Sequence, residues 1–107
     1  MSLADEHCVV PLPKATGRLD DAAIHALLPE VPGFTVEGGA LRRTFTFKTF
    51  AEGIAFVQRV ATLADAEDHH PDIDIRYTRV TLSLVTHDVG GISRNDFVVA
   101  ARASALT

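Results

Sequence analysis

The stretch Asp65-Ala66-Glu67-Asp68-His69-His70-Pro71 sets three carboxylates directly ahead of two adjacent histidines and closes on a proline. Histidine is the side chain whose ordinary pKa lies closest to neutrality, and a neighbouring carboxylate favours its charged form. The chemistry open to such a group is proton transfer. Carboxylates at a helix C-terminus oppose the helix dipole, at a cost of roughly 0.3–1 kcal/mol each. A solvated, polar helix end would explain His-His-Pro on its own. The residues that follow it, His87 and Asp96 above all, argue for more.

Those side chains need elements to hold them. Asp20 suits an N-cap, with Leu19 and Ile24 as a hydrophobic staple, and Ile24, Leu27 and Leu28 give a short helix one apolar face before Pro29. Phe34-Thr35-Val36 and Leu41–Phe47 alternate as strands around Gly38-Gly39, a pair suited to a tight hairpin. Leu41, Phe45 and Phe47 mark the buried face of the second strand, and Arg43 interrupts that row as a residue snorkelling at an edge. Thr49 and Glu52 form a capping box, and Phe50, Ile54, Val57, Ala61 and Ala64 predict a helix over 50–66 with that stripe on the sheet.

From Asp72 the period returns to two. Ile73, Ile75 and Tyr77 are followed by Val80, Leu82 and Leu84, and the change of phase requires a bulge or a change of strand near Thr78-Arg79. His87 ends this strand and Gly90-Gly91 turns the chain. Ser93 and Asp96 cap a last helix stapled by Ile92 and Phe97, with Phe97, Ala100, Ala101 and Ser104 as a narrow packing face. The order predicts an α+β fold: an antiparallel sheet of about four strands with two to three helices packed on one face. The other, more polar face is left to solvent or to another subunit.

At 107 residues the chain fits one domain that buries around 60–70% of its unfolded surface. Residues 1–17, with Pro11 and Pro13, read as a loosely ordered arm, and residues 18–107 as a single domain. Hydrophobic residues at 47% and charged residues at 22% match a soluble protein, and a net charge of −4 gives no footprint for nucleic acid or an anionic membrane. Cys8 is the only cysteine, the start does not read as a secretory signal, and the expected location is cytoplasmic.

Asp65, His69-His70-Pro71, Tyr77, His87 and Asp96 stand at the spacing D-x3-H-H-P-x5-Y-x9-H-x8-D. This resembles the signature of pterin-4a-carbinolamine dehydratases, and the likeness runs from about Leu19 to Ser104, through Gly38-Gly39-Ala40-Leu41 and Thr86-His87-Asp88. The resemblance implies an enzyme with no cofactor and no metal, acting on a small-molecule pterin and assembling as a homo-oligomer, dimer or tetramer. It implies His69, His70 and His87 as catalytic residues, with Asp65, Asp68, Pro71, Thr86 and Asp96 binding substrate or supporting them. The reaction would remove water from a 4a-hydroxytetrahydropterin to give the quinonoid dihydropterin, in tetrahydropterin recycling.

Elimination of hydroxide from C4a and a proton from N5 needs one acid and one base, which three histidines can supply. Which ring is the acid stays open, as does whether Asp65 or Asp68 orients an imidazole. Asp96 reads equally as a helix-capping acid and as a catalytic group, and Tyr77 as a packing aromatic rather than a catalytic phenol. Animal members tend to carry Trp near Ile73 and Arg at the place of Asn95, departures that imply a looser pocket or a different pterin side chain. Some relatives act as assembly or dimerisation partners, including for a liver homeodomain transcription factor, which gives the rival, non-catalytic reading. A zinc hydrolase is disfavoured, since adjacent histidines on one backbone rarely chelate a single ion together and no cysteine or spaced fourth ligand is evident.

Overall fold

Apolar alternation over short segments and helical spacing over longer ones resolve into three helices and one sheet. The structure, a computed structural model, describes residues 2–107. Its elements are α1 (Asp21–Leu27), β1 (Thr35–Glu37), β2 (Ala40–Thr46), α2 (Phe50–Glu67), β3 (Asp72–Arg76), β4 (Arg79–Leu84) and α3 (Arg94–Ser104). The four strands form one antiparallel sheet in the order β1-β2-β4-β3. The class is α+β, as the sequence predicts.

Both hairpins close on two residues. Gly38 and Gly39 take positive φ angles of 59° and 78° between the paired Glu37 and Ala40, a conformation glycine reaches without steric cost. The second hairpin turns through Tyr77 and Thr78 between Arg76 and Arg79, so the phase shift is a change of strand and not a bulge. A two-residue loop puts Ile75 opposite Val80 and Ile73 opposite Leu82, which forces apolar residues from odd to even positions. Tyr77 sits in that turn at φ 52° and is 77% exposed. Its reading as a packing aromatic is therefore corrected, because a side chain on a turn tip has no layer to pack beneath.

Leu41 and Phe45 of β2 and Val80, Leu82 and Leu84 of β4 are buried on one face, in one core with residues of α2 and α3. Phe56 of α2 meets the rings of Phe45 and Phe47 at centroid distances of 4.7 and 5.2 Å. The opposite face is a polar ladder in which Arg42 Nε donates to Ser83 Oγ at 2.9 Å and the Thr44 and Thr81 hydroxyls bond at 2.8 Å. Arg43 falls on the apolar face beyond the end of β1. There its guanidinium lies 4.2 Å from the centre of the Phe45 ring and donates to Pro32 O and Ser104 Oγ.

The stripe that seats α2 differs from the predicted one. Gly53, Phe56, Val60, Leu63, Ala64 and Glu67 are buried, whereas Phe50 is half exposed and Ala61 is exposed. Both sets recur at helical spacing, so periodicity alone does not choose between them. Tertiary packing does: Phe56 and Val60 enter the core shared with Phe45 and Val80, while Phe50 stays half exposed.

The arm is likewise corrected over its first half, Met1 lying outside the described residues. Leu3 is buried in a single 3₁₀ turn (Leu3–Asp5) packed on α3. That cover explains why α3 is buried nearly all round, at Val98, Val99 and Ala103 as well as at the predicted Phe97, Ala100 and Ala101. Residues 6–13 contain no helix or strand.

The two candidate stripes of α2 separate by substitution. Phe56→Ala is expected to lower stability by about 3–5 kcal/mol, the usual loss for a buried aromatic, and Phe50→Ala by less than about 1 kcal/mol. Urea denaturation of both variants checks this, and equal losses would restore the predicted stripe.

Candidate active site

The last turn of α2 ends in a way the sequence conceals. Asp68 takes a left-handed conformation (φ 51°, ψ 41°), and the N–H groups of Asp68 and His69 return to Asp65 O and Ala64 O at 3.4 and 3.2 Å. This is the helix-ending motif that usually places glycine at the left-handed position. Asp68 is one of the few other types that tolerates it. The reversal sends the two neighbouring imidazoles to different partners.

His69 turns inward and is only 11% exposed. Its Nε2 donates to Asp96 Oδ1 at 2.6 Å. Asp96, fully buried in the first turn of α3, accepts on Oδ2 from the Ser93 N–H at 2.8 Å and the Thr86 hydroxyl at 2.9 Å. Three donors thus converge on one carboxylate, and the Ser93 hydroxyl completes the cluster by bonding Thr86 Oγ1 at 2.7 Å. With Nε2 engaged as a donor, Nδ1 is the ring nitrogen of His69 left for a ligand. Asp96 both caps α3 and orients a histidine, so the two readings of it are not alternatives.

His70 turns outward. Its Nε2 lies 2.9 Å from Asp65 Oδ1, one helical turn back, and both groups are largely exposed. A solvated pair of this kind orients the ring but adds little stability. His87 opens a 3₁₀ turn (His87–Val89) held at its base by paired hydrogen bonds between Thr86 and Gly91. Gly90, at φ 73°, lets that loop close.

Asp68, His69, His70, Val85, Thr86, His87 and Asp88 line one shallow cavity of about 260 Å³. Of the residues predicted from sequence, His69, His70, His87, Asp68 and Thr86 share that wall. Asp65 and Asp96 stand behind it as partners of His70 and His69. Pro71 is not on the wall, and it leads directly into β3. Tyr77, on the far hairpin turn, is not brought to the site. Among the described residues no three His, Cys, Asp or Glu side chains are grouped so as to hold a metal ion.

Two residues outside the predicted site set complete the surroundings. Glu67, the middle carboxylate of the stretch, is buried at the end of α2. Its oxygens accept from the Cys8 N–H at 2.7 Å and pair with His7 Nδ1 at 2.9 Å and Arg102 Nη1 at 3.0 Å. Those contacts, the His7 hydrogen bond first and the Cys8 N–H second, hold its pKa below the ordinary carboxylate value. Asn95, beside Asp96, binds the backbone of Val9 by both ends of its amide. Neither role has a sequence signal, because both partners come from the arm.

The chain matches the family described as pterin 4 alpha carbinolamine dehydratase over residues 17–106. It is 54% identical over 89 residues to a protein of Thermomicrobium roseum provisionally named pterin-4-alpha-carbinolamine dehydratase, covering 83% of this chain and 96% of that one. A protein of the same provisional name from Stenotrophomonas maltophilia (strain K279a) is 48% identical over 107 residues, covering 98% of this chain and 91% of the other. The crystal structure of transcriptional coactivator/pterin dehydratase from Brucella melitensis superposes with a TM-score of 0.80 at 30% identity, over 83% of this chain and 97% of that one.

The depressed pKa of Glu67 has a stability consequence. A carboxylate with a lowered folded pKa adds stability that is present above its unfolded pKa, roughly 4.3, and is lost as pH falls through the folded value. Glu6, lowered by the Arg94 guanidinium, contributes with the same sign. Glu67→Gln is therefore expected to be less stable than the parent at pH 7 and to lose stability less steeply below about pH 4.5. Thermal melts between pH 3 and 7 check this, and parallel curves would place the acid sensitivity elsewhere.

Proposed function

The chain belongs to the pterin 4 alpha carbinolamine dehydratase family, and we propose that it removes water from a 4a-hydroxytetrahydropterin by histidine general acid–base catalysis, within tetrahydropterin recycling. The observation that carries this reading is the convergence of His69, His70 and His87 on one cavity, with His69 backed by the buried Asp96. The step requires the C4a–O bond to break with its electron pair leaving as hydroxide, protonated to water, while N5 gives up its proton and forms the C=N bond. One group must accept a proton and another donate one.

In this scheme His69 serves as the base. An imidazole whose Nε2–H is held by a carboxylate keeps Nδ1 as its lone-pair nitrogen and gains charge stabilisation when Nδ1 takes up a proton. His87 and His70 stand on the exposed rim, and in this scheme one of them protonates the departing hydroxyl. Asp65 supports His70, and Thr86 and Asp68 offer polar contacts to the ring system. No step in this scheme calls for a metal or a redox cofactor.

A second reading takes its support from the Brucella melitensis protein, whose name pairs a coactivator role with the dehydratase. Applied here it makes the chain a non-catalytic assembly partner. We further propose that the chain is cytoplasmic and forms a dimer or tetramer; the β3 edge, with Ile73 and Ile75 at 37% and 40% exposure, is compatible with sheet pairing. No helix among the described residues is long and apolar enough to cross a membrane.

Turnover of enzymatically generated 4a-hydroxytetrahydropterin, corrected for spontaneous dehydration, tests the enzyme reading. His70→Ala and His87→Ala are each expected to lower kcat at least about tenfold, within the ~10²–10⁴-fold range of positioned acid–base groups. The double variant should lose less than the product of the single losses, and added chelator should change nothing. Full turnover in both folded single variants would reject the histidine assignment. Absence of turnover in the parent would leave the assembly role.

Light scattering at micromolar concentration is expected to give a multiple of the 11.5 kDa chain mass. A mass near one chain would count against the oligomer.

A further inference from the structure

We propose that residues 6–9 of the N-terminal arm are a brace that sets the geometry of the His69–Asp96 pair, with Asn95 and Glu67 as its positioning residues. His69 follows Glu67 by two residues at the end of α2, and Asp96 follows Asn95 directly at the start of α3. The 2.6 Å bond between them therefore spans the same junction that the arm crosses.

Four successive residues attach there. The Glu6 carboxylate accepts from Arg94 Nε and Nη2 at 2.8 and 2.7 Å, a two-pronged pair on the first residue of α3. His7 Nδ1 and the Cys8 N–H both bond Glu67, the last residue of α2. The Val9 N–H donates to Asn95 Oδ1 at 2.9 Å, and Asn95 Nδ2 donates to Val9 O at 2.8 Å. Only a side-chain amide offers a donor and an acceptor to one backbone residue in this way. The Cys8 thiol, half buried between Glu67 and the Asn95 carbonyl, is pushed up to about 12 by burial first and by Glu67 second. It is a neutral filler at neutral pH.

Glu67 also pairs across to Arg102, further along α3. The arm thus closes a ring in which α2, residues 6–9 and α3 are each tied to the next. A hydrogen bond between side chains from two separate elements keeps its length only if those elements cannot slide, and such supporting contacts are what hold a site within tolerance. The family match begins at residue 17, so this brace lies outside the segment that the family match covers.

The inference rests on the dehydratase reading for its kinetic consequence, and an NMR readout keeps the two separable. In the full chain labelled with ¹⁵N-histidine, the His69 Nε2 proton should exchange slowly with water in the parent. Asn95→Ala, which leaves His69 and Asp96 intact, is expected to speed that exchange at least about tenfold. It should lower kcat about three- to tenfold with KM within about twofold, because what is lost is orientation rather than binding. Backbone amide exchange at Leu82 and Val99 should stay as in the parent. Val9→Pro, which deletes the N–H that Asn95 accepts, is the second variant if Asn95→Ala does not fold, and the same changes are expected. A folded variant with parental ring-proton exchange and parental kcat overturns the brace. A parent with a protected ring proton and no turnover overturns the dehydratase reading instead, and the exchange comparison then decides the brace alone.

Discussion

A single buried carboxylate holds the working end of this molecule together. Asp96 is fully enclosed and accepts from the Ser93 N–H, the Thr86 hydroxyl and the His69 ring. These donors come from the N-terminus of α3, the chain just past β4 and the turn after α2. A buried carboxylate lacking any of them would carry a desolvation penalty of several kcal/mol, so the three segments are obliged to meet. Its position in the first turn of α3 also sets negative charge at the positive end of a helix dipole.

The sheet makes that meeting possible. Because β2 and β4 are central and antiparallel, β4 runs toward the end of the sheet at which α2 finishes, and the loop carrying His87 emerges beside His69 and His70. The left-handed Asp68 does the rest by sending two sequence neighbours to opposite partners. One imidazole becomes a buried, carboxylate-held ring. The other becomes a solvated one with access to the cavity mouth. Two histidines of the same type are thus given different partners and different burial.

The acidic run at the end of α2, unfavourable for an isolated helix, is consistent with this arrangement. Asp65 faces His70, Glu67 faces His7, Arg102 and the Cys8 N–H, and Asp68 supplies the reversal. Each carboxylate that opposes the dipole has its own compensating contact, except that Asp68 contributes by backbone conformation. The site is accordingly built from a locally disfavoured sequence that the tertiary structure stabilises.

Local rules determined much of this from sequence alone. The Thr49 cap, the capping box at Ser93, the Asp20 cap, the Gly38-Gly39 hairpin and the alternation of β2 and β4 each depend on neighbours within a few residues. His69, His70 and His87, grouped in the sequence only by the family resemblance, are brought to one cavity wall by the fold. Tertiary structure decided the rest. Phe50 and Phe56 belong to equally periodic stripes, and only the packing of the helix on the sheet selects the second. The turn at Tyr77-Thr78 lacks the glycine that signals a hairpin, so strand change and bulge were locally equivalent. Glu67 and Asn95 gained their roles from an arm about 60 and 86 residues away in the chain, contacts for which no local pattern exists because they form only after the helices have packed.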